Sequence, residues 1–105
     1  MTDKPAAVAY ANASLLMTHS ELERVRMDVS RFASEWGYAL ACVHVEEPAT
    51  SPDAFNGLVQ QVTALDITTV LVPSLHHFAG IGSPVEVKNR LEHLIGGRVI
   101  PTTSP

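Results

Sequence analysis

A chain of 105 residues, 46% hydrophobic and 17% charged, has the balance of one globular domain with a core, not of a disordered segment. Its formal net charge of −4 opposes duplex DNA, which carries roughly one negative charge per 1.7 Å of axis, so the domain alone is not expected to bind DNA. Cys42 is the only cysteine, which excludes an internal disulfide and a multi-thiolate zinc site. The amino-terminal residues have no signal-peptide pattern and no apolar run nears the ~20 residues that span a bilayer, so a cytoplasmic protein with no membrane partner is expected.

In chain order, Ala6 to Tyr10 is a small apolar run, followed at two-residue steps by Asn12 and Ser14. Continuous apolar runs are the pattern of strands covered on both faces in a parallel sheet, and ligand chemistry collects beyond such strands' carboxyl ends. Thr18-His-Ser-Glu21 has the spacing of a capping box. The helix after it carries Leu22, Val25, Val29, Phe32 and Trp36 on one stripe, read as core, and Gly37 as its stop. Tyr38 to Val45 reads as the second strand, placing Cys42 as an inert core thiol, and Glu46 to Asp53 as a loop. Ser51-Pro52 supplies a cap and first-turn proline for a second helix with Phe55, Leu58, Val59, Val62 and Leu65 inward. Thr68 to Val72 is a third strand, ended by Pro73, and Ser74 to Gly82 a loop. Ser83-Pro84 repeats the cap-plus-proline start for a helix with Val87, Leu91, Leu94 and Ile95 inward, and Arg98 to Pro101 is a fourth strand. The alternation predicts one α/β domain over 1–105, with 1–5 and 102–105 as frayed ends: a three-layer sandwich of a mostly parallel four-stranded sheet and about three helices.

This layout resembles the catalytic domain of serine recombinases of the resolvase/invertase type, over roughly Val8 to Ile100. That family's first strand carries Tyr-x-Arg-x-Ser; Tyr10-Ala-Asn12-Ala-Ser14 keeps the ends and loses the arginine. Trp36-Gly37 fits the family's aromatic-Gly helix end. Its Arg-Pro-Gly-Leu segment is matched by Phe55-Asn-Gly57-Leu58, and its Leu-Asp-Arg-Leu-x-Arg segment by Leu75-His76-His77-Phe78-Ala79-Gly80. The resemblance implies a serine nucleophile at Ser14 that attacks a DNA phosphodiester. It also implies phosphate-gripping arginines where Asn12, Phe55, His77 and Gly80 stand, and an aspartate where His76 stands. A serine hydroxyl needs activation, and the charge of a transferred phosphoryl group needs fixed cations, which arginine supplies bidentately. One such donor is typically worth ~10²–10³ in rate, so this chain is expected to be a catalytically degenerate member, acting through self-association or a partner protein.

Two other readings stand beside that one. Ser14 and His77 could retain repurposed phosphoester chemistry, metal-assisted if His44, His76 and His77 approach one another with Glu46 or Glu47; the expectation is no metal and no cofactor. Gly80, Gly82 and Ser83 before a helix could cradle an anion or nucleotide, although Val85 replaces the third glycine of a dinucleotide fingerprint. Arg24, Arg26 and Arg31 alternate with Glu21, Glu23, Asp28 and Glu35, the pattern of a solvated helix face, not of a DNA track.

Overall fold

A computed structural model describes residues 4–13, 18–47 and 53–102; Ser14 and the Ser51–Pro52 helix start lie outside the described residues. The elements alternate as expected: β1 (Ala6–Asn12), α1 (His19–Glu35), β2 (Ala39–Glu46), α2 (Ala54–Leu65), β3 (Thr69–Val72), α3 (Pro84–Ile95) and β4 (Arg98–Pro101). The sheet order is β2-β1-β3-β4 and every pairing is parallel, with Val8 opposite both Cys42 and Val70. Pro5 and Thr102, expected to fray, are tied in: the Ala39 N–H donates to the Pro5 carbonyl at 2.9 Å, and the Thr102 N–H to that of Val72 at 2.8 Å.

The alternation of side chains along the strands sets the layers. Val8 and Tyr10, Val70 and Val72, and Val99 face one way, against Leu58 and Val62 of α2 and Val87 and Leu91 of α3. Ala7, Ala9 and Leu71 face the other, against Val29 and Ala33 of α1. The small side chains of β1 on that second face let α1 pack closely over the sheet. Each large side chain fully buried in these layers contributes about 1.5–3 kcal/mol.

The caps follow the sequence in part. The Thr18 hydroxyl accepts from the Glu21 N–H at 3.1 Å, opening α1, whereas the Ser83 hydroxyl makes no capping bond although Pro84 fills the first turn of α3. Gly97 allows the chain to pass from α3 into β4, because a Cβ there would collide with the Thr68 carbonyl.

Several expectations of burial are corrected. Trp36 is 64% exposed and lies stacked on Phe32, ring centroids 5.1 Å apart, because α1 ends at Glu35 and the indole falls past the sheet's cover. Leu65 and Leu94 are also exposed, at 61% and 55%, each in the last turn of its helix. Cys42 is half-buried, not core, because β2 is an edge strand with a neighbour on one side only.

Candidate functional site

β1 sends its chain to β2 on one side, and β3 lies on its other side, so the strand order reverses between β1 and β3. In open parallel sheets the crevice beyond the carboxyl ends at such a point is where ligands bind. Here it is built from the last residues of β1, the last residue of β2 and the turn that follows β3.

That turn is not an open loop: Leu75–Phe78 form one turn of 3-10 helix, which buries His77 and Phe78 and leaves His76 exposed. The Asn12 backbone N–H donates to His77 Nδ1 at 2.9 Å. The neutral ring therefore carries its proton on Nε2, and burial, reinforced by the neighbouring His76, pushes the His77 pKa down. Gly80 completes the group, since a Cβ on it would lie 3.2 Å from Asn12 Nδ2. The structure thus brings Asn12, His77 and Gly80 together.

Phe55, in the first turn of α2, belongs to an adjoining aromatic cluster. Its ring meets Tyr10 edge-on at 5.6 Å and Phe78 edge-on at 6.1 Å, while Tyr10 and Phe78 stack at 5.6 Å. The buried Tyr10 hydroxyl donates to Glu46 Oε2 at 2.7 Å, and the other oxygen of Glu46 accepts from the Phe55 N–H at 3.4 Å. Burial, then the bond to Glu46 and its charge, raise the Tyr10 pKa well above that of a free phenol, so the proton stays on tyrosine. The sequence offered Glu46 as the first residue of a loop and as a candidate metal ligand, not as a partner of Tyr10. Parallel register, which sets Asn12 beside Glu46, is what makes it Tyr10's partner.

The histidines do not converge. His44 Nε2 lies 2.6 Å from Gln61 Oε1 and its ring sits against Gly57 of α2. Among the described residues no three His, Cys, Asp or Glu side chains gather as metal ligands. In the Gly80–Ser83 turn the N–H groups of Ile81 and Gly82 both donate to the Phe78 carbonyl, at 2.9 and 3.2 Å. Those amides are spent inside the turn, and neither glycine has the positive φ that an anion nest uses.

Lys4 and Arg98 are at the amino ends of β1 and β4, on the opposite edge of the sheet, and Arg24, Arg26 and Arg31 are on the exposed surface of α1. Lys88 pairs with Glu92 at 2.9 Å, and Arg90 lines a hollow between α2 and α3.

Among solved structures, the chain is similar to the C-terminal catalytic domain of ISC1926 TnpA, an IS607-like serine recombinase, with a TM-score of 0.74 over 94% of this chain and 68% of that one, at 18% identity. This is the serine recombinase catalytic-domain fold. No family model matches the sequence, and no curated protein matches it significantly. Within this fold, the positions that the sequence resemblance sets against the recombinase motifs lie toward the carboxyl edge of the sheet. Asn12, His77 and Gly80 form one group and Phe55 lies in the aromatic cluster next to it.

Proposed function

We propose that this domain keeps the serine recombinase fold without its DNA strand-exchange chemistry, and acts as a protein-interaction or regulatory module. One observation carries the reading: where a phosphodiester would need fixed positive charge, the edge presents a buried imidazole held neutral, a glycine, an aromatic cluster and the Glu46 carboxylate. A migrating phosphoryl group there would meet no arginine at residues 12, 55, 77 and 80 and one nearby carboxylate, Glu46, the reverse of the electrostatics that lowers its barrier.

The test is incubation of the protein with supercoiled plasmid, followed by gel analysis under denaturing conditions. Unchanged supercoils and no protein–DNA adduct are expected; a nicked product with protein attached through Ser14 would overturn the reading.

A second reading, repurposed chemistry at the Ser14/His77 edge, draws on the burial of a neutral histidine at the point where the strand order reverses. It requires a phosphate ester or divalent metal to raise the melting temperature by linkage, and the absence of a shift at saturation would remove it.

A further inference from the structure

The helices α2 and α3 cover the same face of the sheet and each joins two parallel strands, so they run side by side in one direction. Two shallow hollows lie along the groove between them. The first, of about 70 Å³, is lined by Phe55 and Val59 of α2 and by Arg90 and Leu94 of α3; the second, of about 180 Å³, by Val62 and Asp66 at the end of α2 and by Leu94 and Ile95 at the end of α3. At about 1.5 Å per helical residue, the two hollows are about 6 Å apart along α3 and about 10 Å apart along α2. A benzene ring is held by a cavity of about 150 Å³, so the first hollow takes a short aliphatic side chain and the second an aromatic one. Both fall below the roughly 300–1,000 Å³ of small-molecule sites, which leaves the side chains of a macromolecule as occupants.

The charges along the groove are ordered as well. Arg90 is the charged residue lining the first hollow and Asp66 the one lining the second, and neither makes an ion pair among the described residues. The carboxyl-terminal ends of both helices, with their partial negative charge, also lie at the second hollow. Leu94, the wall that the hollows share, is 55% exposed, and Ile81 at the first is 37% exposed.

We infer that this groove seats one amphipathic helix of a different protein, which sets an acidic residue and an aliphatic anchor at the first hollow and an aromatic anchor and a basic residue at the second. Same-side residues four and seven apart on a helix are separated by about 6 and 10.5 Å, the range over which the hollows are spaced. Side chains wall the groove and offer an extended segment no backbone ladder, whereas a helix satisfies its own N–H and C=O groups. The apolar anchors supply the affinity, and the opposite charges at the two ends set the direction of the bound helix. An acidic start and a basic finish also suit that helix's own dipole, so it lies parallel to α2 and α3. The inference rests on the reading of the domain as an interaction module and gives its partner a chemistry.

The test is selection from a phage-displayed library of helical peptides, randomised on one face, against the immobilised protein with soluble Leu94→Glu protein as competitor. Enriched peptides should carry an aliphatic residue and, four or seven positions later, an aromatic one, with an acidic residue in the turn before the first and a basic residue in the turn after the second. A synthetic peptide of the enriched sequence should bind in the micromolar range by fluorescence anisotropy. Its affinity should fall by about tenfold or more on Arg90→Glu and return when the peptide's acidic residue is exchanged for lysine. Asp66 sits at φ +53, a conformation asparagine tolerates; Asp66→Asn should weaken the peptide, and not a version whose basic residue is glutamine. Arg90 and Leu94 are exposed, so their variants should melt as the wild type does. Absence of enrichment overturns the inference, as does a peptide that binds Leu94→Glu as tightly as wild type, or a charge reversal that the reversed peptide does not rescue. A wild-type dimer in sedimentation velocity that Leu94→Glu dissolves also overturns it, because a second copy then fills the groove. None of these outcomes touches strand-exchange chemistry, so failure here and a positive plasmid assay are separate results.

Discussion

The Asn12 backbone N–H donates to Nδ1 of His77 across 2.9 Å, joining residues 65 positions apart and tying the end of β1 to the turn after β3. The bond needs a neutral imidazole, because a doubly protonated ring has no acceptor at Nδ1.

A pH dependence follows from that bond. The folded pKa of His77 lies below the unfolded value of ~6.5, so the unfolded chain takes up a proton first as pH falls. The contribution is whole above ~6.5 and declines below it. Thermal unfolding between neutral and mildly acidic pH should show the wild type losing melting temperature, and His77→Gln, starting lower, losing less over the same range.

Tyr10 carries its pH dependence on the alkaline side. Its folded pKa is raised, so its contribution is present below the unfolded phenol value of ~10 and is lost as pH rises beyond it. Tyr10→Phe keeps both ring contacts and leaves a Glu46 oxygen without this donor. Denaturant titration should give a loss of about 1.5–3 kcal/mol at neutral pH, and the variant should differ from wild type in how its stability changes in alkali.

Gly97 and Gly82 should separate sharply. Gly97→Ala sets a methyl against the Thr68 carbonyl oxygen, and the backbone of the α3–β4 junction must move. A loss of about 3 kcal/mol is expected in chemical denaturation. Gly82→Ala brings its methyl to 3.4 Å from a Val87 methyl, a contact that a small shift relieves, and should cost less than about 1 kcal/mol.

Trp36→Ala tests the corrected burial. A core tryptophan would cost about 3–5 kcal/mol on truncation. Trp36, held by its stack on Phe32 and largely in water, should cost about 0.5–1.5 kcal/mol. A larger loss by denaturant titration would mean that the indole is covered.

The sequence by itself determined the order and kind of the elements, because periodicity, caps and breakers act within a few residues of each other. It also determined that residues 12, 55, 77 and 80 are not arginine, while where the arginines from elsewhere in the chain stand is set by folding. Only the tertiary structure decided what those positions became, since hydrogen bonds such as Asn12 to His77 and Tyr10 to Glu46 arise from strand order and register. It also decided that Trp36, Leu65 and Leu94 face outward and that β2 is an edge. An apolar stripe specifies that a helix has an inner face, but where the sheet beneath it ends is set by how many strands pair, and that is a property of the whole chain.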